Sequence, residues 1–326
     1  KIEKLIPNKT YIKFAHVAKK QEHNKELLKA IVKKRITLID YEYLTDIKGN
    51  RLVAFGKWAG IVGAYNAIRM WGLRTKQFEI APAHTFLDKT EMFSKNNYLK
   101  CEPIKIVITG GGRVATGAME TLKNFGIEEV SPEDFLYKSF SKTVFTKLEP
   151  WHYVRHRTGK EFNLEHFFQN PTEYISIFEP YTKVADMYVA CHFWDPNSPH
   201  FITQKMMQSS DFKIKAIADV SCDVNGPIAS TIKASSIANP FFDYNPITGN
   251  EEVAFSSETN ISVMSVDNLP AELPRDSSEE FSNNLIDKVF PFLFGEDPEN
   301  VIERATIVQN GMITPKYSYL VDWINS

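Results

Sequence analysis

The chain has 326 residues, too many for one small core and enough for two domains. Hydrophobic residues make up 43% and charged residues 24%, an ordinary globular composition, and 38 basic against 40 acidic side chains leave a formal charge of −2 that offers nucleic acid no attracting field. There is no apolar run near the roughly 20 residues of a membrane helix, no signal-like apolar stretch after Lys1-Ile2-Glu3-Lys4, and no metal-ligand or disulfide spacing among Cys101, Cys191 and Cys222, which together suggest a reducing, cytoplasmic setting.

In chain order, short apolar strands alternate with helical patterns, the signature of an α/β protein built on parallel sheets. Thr10 to Ala15 reads as a strand, followed by a helix with Leu27, Leu28, Ile31 and Val32 on one face. Ile36 to Ile39 and Arg51 to Phe55 read as two further strands. Trp58 to Leu73 predicts a long apolar helix, and Gly60 and Gly63 inside it imply close backbone packing against a neighbour. A second unit opens near Ile104, with a strand to Thr109, a glycine turn and a helix through Leu122. Strands are predicted at Val144–Lys147, Met187–Ala190 and Ile214–Val220. The polar stretch from about Glu149 to Glu179 reads as a loop with short helices. Glu279 to Phe294 is helical again, with Phe281, Leu285, Val289 and Phe292 as its core face.

The strongest chemical signal is Gly110-x-Gly112-x-x-Ala115 between a strand and a helix. Gly110 permits a tight turn, Gly112 lets backbone approach a pyrophosphate, and the small Ala115 lets the helix pack on the strand. The phosphates then meet the positive end of the helix, where Arg113 adds a cation. A NAD site usually carries an acid at the end of the second strand for the ribose 2′-hydroxyl. Val144 to Lys147 shows none before Glu149, so NADP stays open beside NAD, with Lys147, Arg155, His156 and Arg157 as candidate partners of a 2′-phosphate.

His16 closes the first strand, at the carboxyl end where open α/β sheets bind ligands. Histidine suits proton transfer near neutral pH, although a lone histidine at a strand end is more often structural. Asp219-Val220-Ser221-Cys222-Asp223 closes another buried strand. Its two carboxylates, four residues apart on one segment, are too few for a cation, and no metal site is expected.

Several segments resemble the lysine-forming saccharopine dehydrogenases and the lysine–ketoglutarate reductase domain of bifunctional aminoadipate semialdehyde synthases. These are Phe14 to Gln21, Leu38 to Glu42, Arg51 to Gly56, Asp219 to Asp223 and Ser265 to Pro274, with Asn310 to Tyr317 leaning toward the reductase branch. The resemblance implies two Rossmann-like domains with an interdomain active-site cleft. Residues 1–103 plus 281–326 would form the substrate domain and 104–280 the dinucleotide domain. The implied reaction interconverts saccharopine with L-lysine and 2-oxoglutarate, using NAD or NADP. By resemblance His16 matches the acid–base histidine, and Lys19, Gln21, Phe55, Ser221, Cys222 and Asp223 match substrate contacts. Arg51, Gly112, Arg113, Phe193, Val220, Asp267 and Leu269 match cofactor contacts, joining Gly110 from the turn itself. The family's acid–base lysine, first strand and substrate arginine would precede Lys1. Of a cysteine pair found beside the cofactor in some members, Cys191 matches one position, while Val114 stands at the other. An alanine dehydrogenase-like enzyme and a non-catalytic NAD(P)-binding module remain as competing readings.

Overall fold

The computed structural model describes residues 2–95 and 101–325. Two compact units divide it: Lys1–Ala54 with Ser278–Ser326, and Phe55–Ser277.

The first unit begins with strand β1 (Thr10–Lys13), helix α1 (Lys25–Lys33) and strand β2 (Thr37–Asp40). β1 and β2 pair in parallel, Thr10 opposite Thr37 and Lys13 opposite Asp40. Helix α1 presents the predicted face: Leu28 and Ile31 are buried with Ile36 and Leu38. The third strand predicted here, Arg51 to Phe55, does not form. Asp46 accepts from the backbone N–H groups of Lys48 and Asn50, and Gly49 takes φ 81°, which makes a tight turn. Beyond that turn only Arg51 bridges back, to Thr45, before the next helix begins.

The chain then builds the second unit. Helix α2 (Gly56–Thr75) is buried along most of its length, and α3 (Lys89–Lys95) follows. Strand β3 (Lys105–Thr109) leads into α4 (Arg113–Asn124). Then come β4 (Glu128–Glu129), α5 (Pro132–Tyr137) and β5 (Val144–Leu148). The insertion contains α6 (Pro150–Tyr153), β6 (Val154–His156), α7 (Leu164–Gln169) and β7 (Tyr174–Ser176). It is more ordered than a loop with short helices, because β6 and β7 pair as an antiparallel ribbon, His156 opposite Tyr174. After α8 (Glu179–Thr182), β8 (Met187–Ala190), α9 (Gln204–Met207) and β9 (Ala216–Asp219), the strands β10 (Phe241–Asn245), β11 (Asn250–Glu252) and β12 (Ile261–Met264) complete an eight-stranded sheet. Its order is β11-β10-β12-β9-β8-β3-β5-β4. The strands from β12 to β4 run parallel, and β10 and β11 are an antiparallel edge.

Both faces of this sheet are covered, so its strands read as continuous apolar runs whose side chains alternate between two cores. Ile106, Ile108, Met187, Val189, Ala216 and Ala218 join the core under α2 and α4. Val107, Tyr188, Ala190 and Ile217 join the opposite one. The predicted close approach of α2 is real. A Cβ at Gly60 would run into the Val114 carbonyl of α4, and one at Gly117 into the Lys57 carbonyl of α2. We expect Gly60→Ala to cost about 1–3 kcal/mol through overpacking. Urea unfolding monitored by Trp fluorescence measures it, and a stability equal to the parent would contradict this packing.

Residues 55–103, assigned by sequence to the substrate domain, fall in the second unit because α2 packs on α4 and β9 there. The chain returns to the first unit along α10 (Pro274–Lys288), α11 (Phe290–Phe294) and α12 (Val301–Ala305), then β13 (Thr306–Gln309), β14 (Met312–Ile313) and α13 (Leu320–Asn325). The predicted helix over Glu279–Phe294 is broken near Val289, just before Pro291. The sheet order in this unit is β1-β2-β13-β14. β13 is antiparallel to β2, so this sheet is mixed rather than wholly parallel. No described helix is long and apolar enough to cross a membrane.

Candidate active site

In the first unit the candidate residues gather at the carboxyl ends of β1 and β2. Strand β1 stops where His16 adopts a left-handed conformation, φ 53°. The buried Asp40 at the end of β2 fixes that corner: its carboxylate accepts from the Ala15 N–H at 3.1 Å and the Glu42 N–H at 3.0 Å. Burial raises the Asp40 pKa above the usual carboxylate range. The His16 ring meets the Phe14 ring edge-on at 3.9 Å, and its Nδ1 is buried without a hydrogen-bond partner among the described residues.

Lys19 and Arg51 are drawn together by a residue the sequence reading passed over. Glu42, 4% exposed, accepts from Lys19 Nζ at 2.6 Å and from an Arg51 nitrogen at 2.7 Å, both on Oε1. Its Oε2 makes no hydrogen bond among the described residues. Two half-exposed cations thus share one buried carboxylate. The signal for Glu42 was present in Asp40-x-Glu42 at a strand's carboxyl end. Gln21 lies apart from this trio in bonding, with its side chain exposed and accepting from Asn24.

In the second unit the remaining candidates lie on the carboxyl-end edge of the parallel sheet. Gly110 to Arg113 follow β3, Phe193 follows β8, Val220 to Asp223 follow β9, and Asp267 and Leu269 follow β12. Gly110 has φ 119°, and a side chain there would stand 2.5 Å from the Cys191 carbonyl, so only glycine fits. No described atom lies within 4 Å of a Cβ placed on Gly112. The turn therefore presents bare backbone at the start of α4, the arrangement that binds phosphate. Arg113 and Phe193 are exposed at this edge. Leu269 is instead 1% exposed and packs toward α2, so it shapes the loop rather than meeting solvent. Phe55 begins α2 as its N-terminal flanking residue.

A carboxylate stands beside the glycine turn. Strand β5 runs one residue past Lys147, to Leu148, so Glu149 stands directly at its carboxyl end, beside β3. A side chain on Gly111 would collide with the Glu149 carboxylate. The other Glu149 oxygen holds Lys147 Nζ, and Glu149 also caps α6 through His152. Of the four candidate 2′-phosphate partners, Arg155 is exposed and the other three have partners of their own. Lys147 pairs with Glu149, Arg157 Nε donates to the Thr172 carbonyl at 3.3 Å, and His156 is 3% exposed and bonded to Glu173.

The segment after β9 is organised by Asp219, fully buried, which accepts from Ser221 Oγ at 2.6 Å, Thr231 Oγ1 at 2.7 Å and the Cys222 N–H at 3.1 Å. This network holds Cys222 in a left-handed turn, φ 53°, with its Sγ on the Ser265 carbonyl at 3.0 Å. Burial, then the neighbouring acids, push the Cys222 thiol up to about 12, so it stays protonated and is no nucleophile at neutral pH. Burial and then Asp219 raise the Asp223 carboxyl to about 6.

Residues 1–62 match the family described as alanine dehydrogenase/PNT, N-terminal domain. Over 98% of its length the chain is 30% identical to the bovine mitochondrial alpha-aminoadipic semialdehyde synthase, of which it spans 39%. It is 28% identical, over 85% of its length, to the saccharopine dehydrogenase [NAD(+), L-lysine-forming] of Candida glabrata, spanning 67% of that protein. Among solved structures, an L-alanine dehydrogenase matches 99% of the chain and 78% of its own at 13% identity, with a TM-score of 0.59. A Sinorhizobium meliloti transhydrogenase matches 96% of the chain and 77% of its own at 12% identity, with a TM-score of 0.54. These two share the α/β fold of two Rossmann-like domains. The first 62 residues are thus similar to the N-terminal domain of the alanine dehydrogenase/PNT family, and the chain's sequence homologues over most of its length are lysine-forming saccharopine dehydrogenases and aminoadipic semialdehyde synthases.

Proposed function

We propose that this chain is a NAD-dependent oxidoreductase that interconverts saccharopine with L-lysine and 2-oxoglutarate. The balanced reaction takes saccharopine, NAD+ and water to lysine, 2-oxoglutarate, NADH and a proton. The observation that carries the reading is the glycine turn after β3 with the Glu149 carboxylate against Gly111. A carboxylate there hydrogen-bonds a ribose diol and repels a 2′-phosphate, which favours NAD over NADP. Gly110, Gly112 and Arg113 would hold the pyrophosphate, and the dinucleotide when bound supplies a hydride acceptor for the carbon beside the secondary amine.

The protein's own work is proton transfer and charge matching. Imine hydrolysis needs a group that takes a proton from water and returns it to the departing amine, and His16 is suited to this through its unpartnered Nδ1. Lys19, held on Glu42 and half-exposed, offers its ammonium to a carboxylate of the substrate. Asp223 offers a carboxylate to the lysine ammonium.

The test is loss of NADH on adding lysine and 2-oxoglutarate to the full-length protein. Lysine-dependent turnover supports the reading. Turnover with pyruvate and ammonia alone would make it an alanine dehydrogenase, and tight NAD binding without turnover would make it a binding module. The Asp223 assignment has its own expected outcome. Its carboxyl takes up a proton below pH about 6, so the KM for lysine should rise as pH falls through 6. Asp223→Asn should raise that KM at pH 8 and flatten the acid limb, and an unchanged limb would remove Asp223 from the ammonium site.

A further inference from the structure

The insertion between β5 and β8 carries a group that the proposed reaction does not use. His156 ends β6, Glu173 immediately precedes β7, and His166 lies on α7. Their ligand atoms all lie within 4.8 Å of one another. His156 Nε2 and Glu173 Oε2 are 2.9 Å apart. We propose that His156, His166 and Glu173 form a binding site for a divalent transition ion of the zinc type.

The donor set decides the class of ion. Two imidazole nitrogens and one carboxylate oxygen suit Zn2+ and its first-row neighbours, whereas Ca2+ and Mg2+ prefer oxygen alone. The second requirement is that each imidazole be oriented through its other nitrogen. His166 Nδ1 is 3.1 Å from the Tyr174 hydroxyl, which passes its own proton to the Asn163 carbonyl at 3.3 Å. The Tyr174 oxygen therefore accepts from His166 Nδ1–H, and His166 Nε2 keeps its lone pair. His156 Nδ1 lies 3.0 Å from Thr158 Oγ1 and accepts from the Thr158 N–H at 3.2 Å.

Without a metal the His156 proton sits on Nε2 and is donated to Glu173. Metal capture replaces that proton. The ring then carries its hydrogen on Nδ1, within 3.0 Å of Thr158 Oγ1, which accepts it. The site opens on a cavity of about 490 Å3 lined by His156, His166 and Tyr174, with Glu161 and Glu165 at its wall, so a fourth position remains for water. The ion would fasten both strands of the ribbon to α7. It also explains a buried histidine in a polar insertion, which the phosphate reading of this stretch does not.

The experiment adds Co2+ to the purified full-length protein and reads visible d–d absorption, then adds Zn2+ in competition with a chromophoric chelator. The expected result is about one equivalent bound, with tetrahedral Co2+ bands that Zn2+ displaces. Glu173→Gln and His166→Ala, both at solvent-reached positions, should each weaken binding at least tenfold while NAD affinity stays at the parent value. Absence of Co2+ bands, or binding undiminished in the two variants, overturns the proposal. If both variants lose NAD affinity as well, the cluster holds the fold rather than an ion, and the proposal also falls.

Discussion

His16→Ala should lower the maximal rate of lysine-dependent NADH oxidation by roughly 10²-fold or more, with NAD affinity close to the parent value. The split follows from placement. His16 belongs to the first unit and the glycine turn to the second. The backbone corner beneath the ring is set by Asp40 accepting from Ala15 and Glu42, which does not need the imidazole. Removing the ring thus removes a proton carrier without removing the local fold. Steady-state rates with saturating lysine and 2-oxoglutarate measure the first quantity, and NADH fluorescence titration the second. A rate within threefold of the parent would mean that the proton moves through another group. Asp40→Asn is the instructive companion. It keeps the shape but leaves only one oxygen to accept from the Ala15 and Glu42 N–H groups while His16 stays in place, so it should slow turnover less than His16→Ala does.

Glu149→Ala should shift the NAD to NADP preference by roughly 10²-fold, from two effects of one sign. Loss of a charged acceptor for the ribose diol costs NAD about 1.5–3 kcal/mol, and loss of the negative charge lifts the barrier to a 2′-phosphate. A third effect is particular to this site. Lys147, now held by Glu149, would be released beside the turn and become a cation for that phosphate. Adding Lys147→Ala to the Glu149→Ala background should therefore take back part of the gain in NADP affinity but leave NAD affinity nearly unchanged. Dissociation constants for NADH and NADPH on the three proteins decide it. An unaltered ratio in Glu149→Ala would separate this carboxylate from the ribose and return the cofactor question to the loops after β8 and β12.

Much of this was legible from the chain. The strands β3, β8 and β9 are short apolar runs buried on both faces, a pattern with few alternatives at that length. Gly60 in an otherwise apolar helix announced a backbone contact, and Gly110 a turn no other residue allows. What escaped the reading is equally specific. Arg51 to Phe55 has a strand's composition, yet the Asp46 turn in front of it uses the backbone otherwise. The ribbon β6–β7 joins three-residue strands across a helix, which leaves no periodicity to detect. A β5 that ends at Lys147 leaves Glu149 beyond the strand, whereas the strand ends at Leu148 and Glu149 stands at its tip. Glu42 lies within the segment Leu38 to Glu42 that carries the resemblance. Its ability to gather Lys19 and Arg51 depends on a burial that no local pattern encodes.

The mixed sheet of the first unit has a consequence for how the molecule is made. Strand β13, which completes that sheet beside β2, is separated from it by the whole of the second unit. At synthesis speeds of about 5–20 residues per second, β2 leaves the ribosome on the order of tens of seconds before β13 exists. During that interval the amides and carbonyls along one side of β2 have no strand to bind, and Leu28, Ile31 and Leu38 lack the cover that Ile307, Val308 and Leu320 give them. The intervening unit, whose sheet is contiguous in the chain, can reach its native pairing during the wait. The nascent protein should therefore present an unfinished hydrophobic edge next to a finished neighbour. Such an edge is the surface that a holding chaperone recognises and that a crowded polysome punishes by aggregation.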